Sequence, residues 1–229
     1  MRGGARSGTI AAPLPEEIPP VRRLLLAVLL LPTLALADVD SRFAQLRDQA
    51  EALGSLGTFL DKYVGECSGF FSGLGCRGAS EEFRKQYEGK KLYMIVGESA
   101  ASMVQPGPYQ PGSGNYTILV TPSFPGGSYF LTQGAPSALS AEDQPLVAPI
   151  RVTGTTPEGW NATDFMRLFS SRKVRMQLVF SPEGIWGMER NQGRGKLYGV
   201  SCRVEGVLLS NATTGKPLGM WVVGDANRK

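Results

Sequence analysis

The stretch Arg172-Lys173-Val174-Arg175-Met176-Gln177-Leu178-Val179-Phe180-Ser181 decides the fold. Val174, Met176, Leu178 and Phe180 alternate with Arg175 and Gln177, and a period of two makes a strand with one apolar and one wet face. Further along, Val200, Cys202 and Val204 alternate with Ser201, Arg203 and Glu205 in the same way. Strands are predicted over 91–97, 116–121, 128–132, 149–154, 174–181, 197–210 and 218–224. Turn chemistry at Pro125-Gly126-Gly127, Asn191 to Gly195 and Thr214-Gly215-Lys216 makes neighbouring strands antiparallel.

Helical spacing appears in two places. Phe43, Leu46, Ala50, Leu53, Gly57, Leu60 and Val64 form one 3-4 stripe after Asp40 or Ser41, with Gly54 and Gly57 as weak points. Asn161 is an N-cap with Asp164 at the third helical position, and Trp160 with Phe165 has the spacing of a hydrophobic staple. That second helix is predicted to end near Ser171 and to bury Phe165, Leu168 and Phe169. Ser80 is predicted to cap a short helix over 81–87. The proline- and glycine-rich segments 105–114 and 134–145 read as loops. The expected fold is therefore α+β: an N-terminal helix, then an antiparallel sheet or small β-barrel, with an OB-like arrangement as one instance, and one inserted helix.

Arg22-Arg23, the apolar run 24–36 and Ala35-Leu36-Ala37 reproduce the n-region, h-region and cleavage site of a secretory signal peptide. As a helix that run spans roughly 20 Å, short of the ~30 Å hydrocarbon core, so no membrane anchor is expected to persist after cleavage. The organisation expected is an extension and signal peptide over 1–37, a helical segment with a disulfide loop over 38–88, and a β-rich domain over 89–229. The extension 1–20 is long for an n-region, and translation starting at Val21 would explain it. Export to the periplasm or the exterior follows, with Cys67 and Cys76 as the natural disulfide pair and Cys202 as a buried thiol or an alternative partner.

The 229 residues include no histidine. Imidazole-dependent triads, HExxH zinc sites and His-ligated iron are excluded, and neither a metal site nor a cofactor is expected. The chain has 24 basic and 20 acidic residues, but Arg2, Arg6, Arg22 and Arg23 leave with the signal segment. The remaining chain is close to neutral and no nucleic-acid partner is expected. Gly97-Glu98-Ser99-Ala100-Ala101 lacks the last glycine of a nucleophile elbow, and Ser170-Ser171-Arg172-Lys173 lacks the companion motifs of a serine–lysine enzyme. No catalytic residue is assigned.

Carboxylates remain as a His-free route to glycan hydrolysis, with Glu98, Asp143, Glu158, Asp164, Glu183, Glu189 and Glu205 available and no spacing that singles out a pair. For binding, tryptophans and tyrosines, Tyr198 among them, include potential stacking platforms. Trp186 stands out because it leads into the basic stretch Arg190-Asn191-Gln192-Gly193-Arg194-Gly195-Lys196. An exposed Trp186 beside Arg190, Arg194 and Lys196 would suit an acidic glycan or an envelope protein.

The segments 150–160 (IRVTGTTPEGW), 172–186 (RKVRMQLVFSPEGIW) and 198–221 (YGVSCRVEGVLLSNATTGKPLGMW) together resemble an uncharacterised family of exported proteins from soil-dwelling predatory bacteria. The resemblance implies export and a single domain, and no activity. The function expected is a non-enzymatic binding module of the cell envelope; the alternative is a His-independent hydrolase of envelope or extracellular polysaccharide.

Overall fold

A computed structural model describes residues 41–65, 76–97, 100–155 and 161–224. The signal segment, Cys67, Glu98, Ser99, Glu158 and Trp160 lie outside the described residues, as does the side chain of Cys76. In chain order the elements are α1 (41–48), β1 (Glu51–Ala52), α2 (Leu56–Val64), α3 (Cys76–Tyr87), β2 (Leu92–Val96), α4 (Ala100–Met103), β3 (Val104–Gln110), β4 (Asn115–Val120), β5 (Ser123–Gly126), β6 (Tyr129–Gln133), β7 (Ala138–Leu139), β8 (Pro145–Leu146), β9 (Ile150–Thr155), α5 (Ala162–Ser170), β10 (Val174–Glu189), β11 (Lys196–Asn211) and β12 (Pro217–Val222). The fold is α+β and mostly strand.

The alternating stretch at Val174 opens a 16-residue strand, β10, which pairs antiparallel with the equally long β11 along its whole length. The large sheet is ordered β1-β2-β10-β11-β12-β9-β4-β3, with β6 joined to β11 and β5 to β6. It is mixed rather than purely antiparallel, because β1·β2 and β6·β11 are parallel. Its path ends at β1 and β3 without closing, so the described residues hold no closed barrel.

Both faces of the central sheet are covered. Met176, Leu178 and Phe180 of β10 and Val204, Val207 and Leu209 of β11 enter the main core, to which α2 adds Phe59 and Leu60. Across the sheet, Val179, Met220 and Val222 pack with Phe43 in a second, smaller core. Phe43 and Leu46 of α1 lie over Gly206, at distances that leave little room for a side chain there. The helices of 38–88 thus pack on the sheet, and residues Val39–Lys229 make one compact unit.

The predicted single helix through Phe43 to Val64 is two helices with β1 between them. Glu51 and Leu53 donate backbone hydrogen bonds to the carbonyls of Lys91 and Tyr93, and Ser55 then caps α2 by accepting from the Thr58 N–H at 3.4 Å. Pairing with β2 and a fresh N-cap outweigh the helical stripe at the glycine that divides it. Ser80 lies inside α3 rather than at its start, buried beside Gly65.

The predicted loop over 105–114 contains strand β3, whose Pro106 and Pro108 are tolerated because β3 is an edge with an irregular register between Pro106 and Tyr109. Pro125 and Gly126 belong to β5, and the turn itself is at Gly127 and Ser128, where Gly127 has φ +67°. The segment 134–145 carries β7 and part of β8, a two-stranded ribbon. Around Asn161 the expected capping box is present: Asn161 Oδ1 accepts from the Thr163 and Asp164 N–H groups at 2.8 and 3.1 Å, and Asp164 accepts from the Asn161 N–H at 3.2 Å. Phe165 and Leu168 are buried and Phe169 partly so, with Phe165 packed on Tyr116 at 4.5 Å between ring centroids. The Tyr116 hydroxyl donates to the Leu218 carbonyl, which ties β4 to β12 across the joint between the two halves of the sheet.

Candidate functional site

Pairing of β2 with β10 ends at Phe180, and from there the β10–β11 hairpin continues as an arm to its tip. Two register shifts mark the start of the arm, between Val179 and Phe180 and between Pro182 and Gly184. Bulges tolerate proline, so strand continues through Pro182 where the sequence pattern stops at Ser181. Along the arm the pairs are Ile185↔Val200, Trp186↔Gly199, Gly187↔Tyr198, Met188↔Leu197 and Glu189↔Lys196. Cross-strand partners share a face, and successive pairs alternate faces.

On one face Trp186 crosses its partner Gly199 and its indole N–H donates to Thr132 Oγ1 of β6 at 2.8 Å. The Thr132 hydroxyl in turn donates a hydrogen bond to the Gly134 carbonyl at 2.7 Å. A Cβ at position 199 would run into both the Trp186 ring and the Phe130 carbonyl. Trp186 is 7% exposed, which corrects the expectation of an exposed aromatic: its ring joins three strands and its polar atom is already bonded.

On the opposite face the geometry is repeated with the strands exchanged. Tyr198 lies over Gly187, where a Cβ would sit 2.8 and 2.9 Å from ring carbons. Tyr198 is 42% exposed and Ile185, one row away on the same face, 40%. The next row outward is the exposed ion pair Lys196–Glu189 at 3.3 Å. The accessible aromatic of the arm is therefore Tyr198. The signal in the sequence was the parity of the hairpin, since Gly187 opposite Tyr198 mirrors Gly199 opposite Trp186.

The tip is fastened from outside. Asp143, buried and with φ +59°, accepts from the Asn191 backbone N–H at 3.0 Å and pairs with Arg194 Nη2 at 2.9 Å. Asn191 Nδ2 donates to the Ser140 carbonyl at 2.7 Å. Of the predicted cations, Arg194 and Lys196 are thus neutralised within the chain. The Arg190 side chain has no ion pair among the described residues, and its Nε is buried without a hydrogen-bond partner. The basic stretch read from the sequence is a pinned turn, two of whose three cations are paired with carboxylates outside it.

Four of the carboxylates considered for hydrolysis have structural partners. Asp164 caps α5, Asp143 holds Arg194, Glu189 holds Lys196, and Glu205 accepts from Arg203 Nε at 2.8 Å and from the Ser181 hydroxyl at 3.3 Å. The Glu205 hydrogen bond and charge, with Glu183 adding to them, raise the Arg203 pKa. Cys202 is a free, buried thiol, pushed upward first by burial and then by Glu183, which makes it a poor nucleophile. Ser170 donates to the Arg167 carbonyl at the end of α5. No group of three or more metal-ligating side chains occurs among the described residues. An open depression of about 350 Å³ beside β1 is lined by Gln49, Glu51, Gly89, Lys90 and Lys91, with Lys90 paired to Glu51 at 3.2 Å.

A family model matches residues 21–229, which includes every element of the arm. The chain belongs to a family of unknown function (DUF6066). No curated protein and no solved structure matches it. In this DUF6066 chain the exposed aromatic, apolar and charged groups of the arm are Tyr198, Ile185 and the Lys196–Glu189 pair, on a face where Val200, the cross-strand partner of Ile185, is buried. No helix among the described residues is long and apolar enough to cross a membrane.

Proposed function

We propose that this chain is an exported, non-enzymatic binding module of the bacterial cell envelope, periplasmic or secreted, and that it holds its partner on the exposed face of the β10–β11 arm. Export rests on Arg22-Arg23, the apolar run behind it and Ala35-Leu36-Ala37. The observation that carries the binding reading is Tyr198, an aromatic packed on Gly187 and 42% open to solvent beside Ile185. Tyrosine is among the residues enriched where proteins meet their partners.

Binding is preferred to hydrolysis because the described carboxylates already have structural partners: Asp143, Glu189 and Glu205 each hold a cation at hydrogen-bonding distance, and Asp164 caps α5.

The test is crosslinking of the tagged full-length chain in its host, followed by identification of what co-purifies. A partner retained by the native chain and lost with Tyr198→Ala is the expected result. Retention unchanged by Tyr198→Ala would remove the arm from the account.

A further inference from the structure

We infer that two copies of this chain pair through the open edge of β10, antiparallel and about a two-fold axis at Gly187. This goes beyond the binding reading above and uses the backbone edge of the arm instead of its Tyr198 face. The stretch Ile185-Trp186-Gly187-Met188-Glu189 contains no proline, and beyond Phe180 no described strand pairs with the edge of β10 that faces away from β11. The Gly184 carbonyl accepts from the Ser201 hydroxyl of β11 at 3.3 Å, and the Arg190 N–H donates to the Gly195 carbonyl at 2.8 Å. Backbone groups of successive strand residues point to opposite sides, so Trp186 and Met188, in step with Gly184 and Arg190, direct theirs to β11. Ile185, Gly187 and Glu189 direct their N–H and C=O groups outward, and all three residues are exposed. For Gly187, which has no side chain, that exposure is of the backbone itself.

A row of outward N–H and C=O groups is a template for another strand. Charge at the two ends of this edge selects a second copy as that strand. Glu183 in the bulge and Arg190 at the tip have no ion pair among the described residues, and Arg190 Nε has no hydrogen-bond partner. Glu183 reaches Arg203 through its charge alone. A two-fold at Gly187 sets Ile185 of one copy against Glu189 of the other, and Arg190 against Gly184, the neighbour of Glu183. Each end then brings the unpaired cation of one copy beside the unpaired carboxylate of the other. An axis at Glu189 would place that carboxylate opposite itself, and an axis at Ile185 would run the second strand into the bulge at Pro182 to Gly184. The interface is isologous and closed, and the rows at 185, 187 and 189 each exchange two backbone hydrogen bonds with their counterparts. It is also short, which makes the dimer a weak, exchanging one. Because cross-strand partners share a face, both copies of Tyr198 lie on the same side of the joined sheet.

The experiment is sedimentation velocity of the chain purified from its host, from about 10 μM to about 1 mM as a short interface requires, with amide hydrogen exchange at both ends of that range. The expected result is a monomer–dimer equilibrium in which the Ile185, Gly187 and Glu189 amides gain protection with concentration. The Trp186 and Met188 amides, already directed to β11, should not change. Ile185→Pro removes an outward donor and no bond to β11, so it should raise the dissociation constant about tenfold or more. Glu183→Arg should raise it about threefold or more, with the larger effect at low salt. Near-ultraviolet circular dichroism of Trp186 checks that each variant is folded. A monomer across the whole range, or a dimer that neither variant weakens, would overturn the inference. So would protection of the edge amides in a chain that stays monomeric and binds an extended segment of another protein. Retention of an envelope partner on the Tyr198 face is a separate readout, and its loss with Tyr198→Ala leaves the pairing at Gly187 to stand or fall on sedimentation.

Discussion

The two faces of the β10–β11 arm carry the same device and put it to opposite use. On one, Trp186 crosses Gly199 and is sealed by a hydrogen bond to Thr132; on the other, Tyr198 crosses Gly187 and faces water. In each pair a glycine lets an aromatic ring pack closely on the neighbouring strand, because a Cβ would occupy the same space. What differs is the third strand. β6 runs beside β11 and supplies Thr132 to the tryptophan, whereas β10 along the arm has no partner strand beyond β11 among the described residues. An identical local motif is thus structural where another strand closes over it and available where none does.

The comparison breaks most easily at its glycines. Gly199→Val is expected to cost on the order of 3 kcal/mol, because the clash is with a buried ring and a backbone carbonyl, neither of which can retreat. Gly187→Val should stay below about 1 kcal/mol, since the Tyr198 ring can swing into solvent. Urea denaturation of both variants measures the difference, and equal losses would mean that the faces are not distinct.

A second contrast between buried and open aromatics is visible in pH. Burial raises the Tyr116 phenol from 10.0 to about 12. Its folded-state pKa lies above the unfolded one, so the contribution is complete below pH 10 and is lost as pH rises from 10 through 12. The loss is at most about 2–3 kcal/mol, since each unit is worth about 1.4 kcal/mol. Tyr63 and Tyr93 shift in the same direction, each first through burial, so Tyr116→Phe should flatten the alkaline limb of the stability curve only in part.

Smaller effects sharpen the account. Trp186→Phe keeps a ring over Gly199 and removes the N–H that Thr132 accepts, an expected loss of about 1–2 kcal/mol by the same denaturation assay. Asp143→Asn weakens the tie to Arg194, which is half exposed, so its cost should be about 1 kcal/mol. Hydrogen exchange should then rise at Asn191, whose N–H is bonded to Asp143, and not at Val207 in the core.

Most of the sheet was legible because its strands follow period two. Val174 to Phe180 and Val200 to Val204 carry that pattern, and the helix capped by Asn161 carries its own start signal. The pattern failed where backbone punctuators sit inside strands: Pro106 and Pro108 in β3, and Pro182, Gly184 and Gly187 in β10. Those residues are admitted by edges and bulges, which depend on partners distant in sequence. The stripe from Phe43 to Val64 misled for a related reason, since residues after Ala50 bond to Lys91 and Tyr93, about 40 positions downstream. At the site, the hairpin and its glycines could be read, and Trp186 was still placed outward because its burial depends on β6. Nothing local in the sequence links Asp143 to Arg194, about 50 positions downstream.

The most direct test of the account measures stability and binding on the same substitution, Tyr198→Ala. The expected result is an unfolding free energy within about 0.5 kcal/mol of the native chain, as for other exposed positions, together with loss of the crosslinked partner. A protein that is strongly destabilised, or that keeps its partner, would contradict the binding reading.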